Sequence, residues 1–115
     1  MSDLSRVLEV LTSIPGVRGA LVVSREDGLV VAESAMNDVD SAAVSALSAS
    51  LAARLARAVR AAGLAAPRGL LLEASHGSIM AAPAEANQLL VVVTGEDANL
   101  GLLRLALRDA AERLG

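Results

Sequence analysis

The sequence predicts an α+β domain, a single five-stranded antiparallel sheet with helices on both faces, occupying residues 1–115 as one unit. Three observations lead there. Helical and extended patterns follow in the order helix, two strands, helix, three strands, helix, with mostly short connections. Asp27-Gly28 and His76-Gly77 stand between strand-like runs as turns, and Asp-Gly is a strong hairpin signal because glycine accepts positive φ. Finally, Leu89 to Val93 is apolar without alternation, the pattern of a strand covered on both faces.

Element by element, Leu4 to Ser13 places Leu4, Val7, Leu8 and Leu11 at helical spacing, with Ser2 or Asp3 as cap and a stop at Pro15-Gly16. Gly19 to Ser24 and Leu29 to Ser34 read as antiparallel neighbours. A long alanine- and serine-rich helix then lies between Asp38 and Gly63, capped by Asp38 or Asp40. Its stripe of Val44, Leu47, Leu51, Leu55 and Val59 is expected to cover the sheet. Gly69 to Ser75 reads as the third strand and Ser78 to Ala82 as its return partner, with Pro83 marking the exit. Gln88 to Thr94 is the fifth strand. The last helix begins near Asp97 or Asn99, with Leu100, Leu103, Leu107 and Leu114 inward and Arg104, Arg108 and Arg113 outward.

Composition narrows the function classes. The hydrophobic fraction is 54%, yet the chain has no aromatic residue, no cysteine, no lysine and one histidine. It lacks base-stacking groups, thiolate ligands and most nucleophiles. A net charge of -3 argues against general nucleic-acid binding. Asp3, Arg6 and Glu9 break the first apolar stretch, so neither a signal peptide nor membrane insertion is expected, and a cytoplasmic location is the simplest inference. This is the profile of a protein that works by contact.

The middle helix is the best clue to that contact. Ser45, Ser48, Ala49, Ala52, Ala53 and Ala56 form a face of little bulk. If the leucine stripe covers the sheet, this second face is left for a partner or a paired helix. Alanine is also simply a good helix former and a filler. Arg54, Arg57 and Arg60 make a basic ridge along the same helix; solvated arginines that favour a helix carboxy terminus explain it without a ligand, and an acidic partner surface is a better target for them than a nucleotide.

The order of elements and several short motifs resemble the Roadblock family, the dynein light-chain type of domain. The matching pieces are Ile14 to Ala20 entering the first strand, the Asp27-Gly28 turn, the small-residue helix, Gly77 in the next hairpin, and Asn99 to Leu103 opening the last helix. The resemblance implies a homodimer in which the third strand, Leu70, Leu71, Leu72, Glu73 and Ala74 continuing to Ser75, pairs with its copy. It further implies that the two middle helices lie side by side as a docking platform for a small Ras-like GTPase, as in bacterial regulators of the MglB type, which act by reshaping the GTPase without an arginine finger. The sequence ends with the last helix, so a role that depends on their carboxy-terminal extension is not expected.

The leading expectation is therefore a non-enzymatic dimeric adaptor whose GTPase-binding residues include Arg54 and Arg57 beside the small-residue face. A passive scaffold subunit of a larger complex is the alternative. A small hydrolase centred on His76, beside Ser75 and Ser78, is a remote one, because the geometry of a triad demands more than a turn histidine supplies. Gly95 to Gly101 superficially resembles a phosphate loop, but it lacks the Lys-Ser/Thr ending and carries Glu96 and Asp97. No cofactor and no metal are expected.

Overall fold

A computed structural model describes residues 3–114. The elements are α1 (Asp3–Thr12), β1 (Val17–Ser24), β2 (Val30–Ala35), α2 (Ser41–Ala61), β3 (Leu70–Ala74), β4 (Gly77–Ala84), β5 (Gln88–Thr94) and α3 (Leu100–Leu114). Every expected element is present in the expected order. The Ser2 alternative for the α1 cap lies outside the described residues.

The five strands form one antiparallel sheet in the order β2-β1-β5-β4-β3. The two hairpins β1-β2 and β3-β4 thus flank β5, which is central and buried. Leu90 and Val92 point to one face, and Leu89 and Val91 to the other, so the unbroken apolar run reflects two cores, each fed by alternate residues. On one face, Leu8 and Leu11 of α1 and Leu103 and Leu107 of α3 enclose Ala20, Val22, Met80, Leu90 and Val92. On the opposite face, α2 lies over Leu21, Val23, Leu89 and Val91.

Local chemistry sets the boundaries. Asp27 Oδ1 accepts from the Leu29 amide at 3.1 Å and Gly28 takes φ +72°, which closes the β1-β2 hairpin. Of the two candidate caps for α2, Asp40 is used: its Oδ1 accepts from the Ala43 amide at 3.0 Å. At the other end the Gly63 amide bonds Arg60 O and the Leu64 amide bonds Val59 O, with Gly63 at φ +79°. This is the Schellman arrangement. Asn99 caps α3 through its side chain to the Leu102 amide.

One boundary differs from expectation. Pro83 does not mark an exit: β4 runs through it to Ala84, and Pro83 pairs with Leu89. Pairing with β3 ends at Leu70 with Ala81. Beyond Ala81 the strand is an edge on that side, where a missing amide donor costs no ladder bond.

Gly77 is required where β4 begins. Its φ is +154°, and a β-carbon there would lie 2.1 Å from Thr94 O. At Gly63, nothing lies within 4 Å of such an atom. Gly77→Ala is accordingly expected to lose about 2 kcal/mol or more, since strain and a backbone clash add. Gly63→Ala should cost only about 1 kcal/mol, from the left-handed φ alone. Urea unfolding of both variants checks the ranking.

Candidate protein-docking surface

Which side of α2 meets the sheet decides what the helix offers to a partner. Ser45, Ser48, Ala49, Ala52 and Ala56 are the buried residues of α2. Leu47 and Leu55 are 43% and 40% exposed, while Val44, Leu51 and Val59 are half-buried. The two stripes are therefore exchanged relative to the sequence expectation. Five of the six small residues proposed as a free partner face lie against the sheet; of that set only Ala53 is exposed, together with Arg54 and Arg57.

The reason is bulk. The sheet presents Leu21, Val23, Leu89 and Val91 to α2, and large side chains on one layer are best met by small ones on the other at interior density. The small face also lets the helix approach the β1-β2 turn. Ser45 Oγ donates to Gly28 O, and a β-carbon on Gly28 would sit 3.5 Å from Ala46 Cα and 3.6 Å from Ala49 Cβ. Ser45 is thus a buried tether between helix and hairpin. Ser48 Oγ is buried without a hydrogen-bond partner among the described residues.

The large stripe is displaced toward the β3 side of the sheet. Leu55 borders a small gap with Leu70 and Ala81, and Val44 borders a groove with Leu72, Ile79 and Val93. β3 is the edge strand next to this stripe. Leu55 and Val44 thus border Leu70 and Leu72 of an edge strand with unpaired backbone groups, and Leu47 and Leu51 extend the same helical stripe outward, a surface that is apolar and incompletely covered. By length and composition α2 also meets the test for a bilayer-crossing helix, with a mean hydropathy of 1.3 over its most apolar window, of which 28% is buried. Its charged outer side and its packing on a sheet point instead to protein contact.

The outermost side of α2 carries Ala46, Ser50, Ala53, Arg54 and Arg57, all exposed. Arg54, Arg57 and Arg60 form no ion pair among the described residues. The outer side of α2 thus offers little bulk and positive charge beside the leucine stripe.

The remaining candidates do not assemble into a reaction centre. His76 is 91% exposed in its side chain and its Nδ1 lies 2.9 Å from Glu96 Oε1, a surface pair between two turns. Neither Ser75 nor Ser78 is hydrogen-bonded to it. Glu96 and Asp97 are exposed, and the Gly95 amide is committed to Gly16 O at 2.9 Å, so the glycine segment is held as a connector. No group of three His, Cys, Asp or Glu suited to a metal occurs among the described residues.

The fold and this surface define a small α+β domain with a two-sided sheet and an open helix-and-edge platform. The chain belongs to the Roadblock/LC7 domain family, whose model matches residues 4–94. An uncharacterized protein of Methanocaldococcus jannaschii is 33% identical over 113 residues, 98% of this chain and 94% of the relative. The gliding protein MglB from Thermus thermophilus superposes with a TM-score of 0.86 at 26% identity, covering 97% of this chain and 85% of that one. An MglB described as having a tetrameric arrangement gives a TM-score of 0.86 at 28% identity, over 96% and 83%.

The exchange of faces has a direct test. Ala49 is 8% exposed against the sheet, so Ala49→Glu buries a carboxylate and should destabilise the fold by about 3 kcal/mol or more. Ala53→Glu, on the outside, should stay within about 0.5 kcal/mol of the parent. Chemical denaturation followed by circular dichroism separates them.

Proposed function

We propose that the protein is a non-catalytic, cytoplasmic Roadblock adaptor that pairs with a second copy of itself and docks a small Ras-like GTPase on the paired helices. The observation that carries this reading is the leucine flank of α2 running onto the β3 edge. An antiparallel β3-β3 pairing would extend the sheet, satisfy the edge backbone and bring Leu47, Leu51 and Leu55 of two copies together. Similarity to MglB structures, one of them described as tetrameric, supports association of this kind.

Pairing of the leucine flanks leaves the outer sides of both helices facing solvent. Ala46, Ser50 and Ala53 allow close approach of a partner, and Arg54 and Arg57 supply charge that steers an acidic surface. Regulation would then come from shape imposed on the bound GTPase, since no catalytic group is brought to the face. A passive scaffold is the reading that remains if the leucine flank alone is functional.

Sedimentation at micromolar concentration should give a dimer, and Leu72→Pro should yield monomer or aggregate by removing a ladder donor. The pair Leu47→Arg with Leu55→Arg should also yield monomer, because each change adds charge to the apolar flank. A parent protein that sediments as a monomer refutes the pairing.

Docking is tested with a Ras-like GTPase from the same genome, loaded with a non-hydrolysable GTP analogue. Ala53→Glu dimers should lose at least about tenfold in affinity, and Arg54→Ala should weaken binding modestly and chiefly at low salt. Ala53→Glu dimers that bind and stimulate hydrolysis as the parent does would place the GTPase elsewhere and favour the scaffold.

A further inference from the structure

On the sheet face opposite α2, α3 packs chiefly over β4 and β5 and leaves Leu71 of β3 half exposed. The result is a trench of about 670 Å³ between α3, the β3-β4 hairpin and the segment that follows α2. Its floor is apolar: Leu71 is 49% exposed and lies beside Met80, which is buried at 4%. Leu64, 71% exposed, stands on one wall, and Leu107 is buried in the other.

The rim is charged with one sign. Arg68 comes from the segment before β3, and Arg104 and Arg108 lie one turn apart on α3. None of the three forms an ion pair among the described residues, and no carboxylate lines this part of the trench. Arg68 and Arg108 also border the continuation of the trench past Ala82, where Glu85 and Glu112 lie, so the stretch free of carboxylates is the one around Leu71 and Arg104. In a chain of net charge -3, three unpaired guanidinium groups around exposed leucines are a local reversal of sign.

We propose that this trench binds an acidic, leucine-bearing segment of a partner protein, with its aliphatic side chains on Leu71 and Leu64 and its carboxylates on Arg68, Arg104 and Arg108. Guanidinium groups pair carboxylates in bidentate fashion, and an apolar floor with charges at the rim is the usual division of a peptide groove. A nucleic acid fits less well, because no aromatic ring is available for stacking and three cations give little phosphate neutralisation. A membrane surface is disfavoured by the concavity of the trench, since a flat bilayer meets a convex or planar apolar surface better.

The site lies on the other face of the sheet from the GTPase platform but shares β3 with the proposed pairing, so sedimentation of each variant beside the binding assay tells a failure of the trench from a failure of the pairing. The probe is a displayed library of random peptides of about a dozen residues, panned on the full chain. Enriched peptides should combine Asp or Glu with Leu, Ile or Met. A fluorescein-labelled enriched peptide should bind the parent at least about tenfold more tightly than the Arg104→Glu, Arg108→Glu double variant, with affinity falling as salt rises. Leu71→Ser should weaken binding by a similar factor without changing the salt dependence. Both exposed α3 changes should leave folding, oligomeric state and GTPase binding as in the parent. The proposal is overturned by any of four results: no enrichment, enriched peptides without acids, equal binding by the double variant, or tighter binding of a single-stranded oligonucleotide or of phosphatidylserine vesicles than of the peptide. A change in oligomeric state of the double variant would likewise overturn it, in favour of a second copy in the trench.

Discussion

The rest of the molecule follows from the close seating of α2 on the sheet. Ser45, Ser48, Ala49, Ala52 and Ala56 give the helix a low surface, and the large residues of β1 and β5 fill the layer between them. The Ser45 bond to Gly28 fixes the helix relative to the β1-β2 turn. A bulkier residue at any of these positions would lift α2 from the hairpin, so its small side chains are a packing requirement.

That seating determines where the remaining apolar area goes. A helix of 21 residues has one side against the sheet, and its leucines, excluded from that side by bulk, emerge on the flank toward β3. They meet an edge strand that is itself apolar at Leu70, Leu71 and Leu72. Exposed aliphatic area next to an unpaired edge favours association, because burial and backbone pairing are gained together. The exposed aliphatic flank is thus a consequence of how the core is divided.

The two faces of the sheet offer different chemistry. The α2 face presents aliphatic flank and, farther out, small residues with arginine. The α3 face presents a trench with an apolar floor and an arginine rim. The turn residues His76 and Glu96 link two loops at the surface and add no reactive centre. A domain without aromatic rings, thiols or lysine can still discriminate partners in this way, through shape and the placement of guanidinium groups.

The sequence by itself determined the element order, the two hairpin turns, the stop at Gly63 and the burial of β5 on both faces, and it narrowed each of two helix caps to a pair, Asp38 or Asp40 and Asp97 or Asn99. These depend on local rules, on alternation in a strand and on residues that tolerate a given φ. Tertiary structure alone decided which stripe of α2 meets the sheet. Both stripes recur at helical spacing and both are apolar, so periodicity places them on adjacent sides of the helix without ranking them. The ranking depends on the volume of side chains contributed by β1 and β5 and on the approach of Gly28, which are remote in sequence from α2. For the same reason the trench of Arg68, Arg104 and Arg108 was not legible: three arginines spread along the chain acquire a common rim only when α3 crosses the β3-β4 hairpin. The passage of β4 through Pro83 also depended on a partner, since only the early end of β3 leaves that amide position without a bond to make.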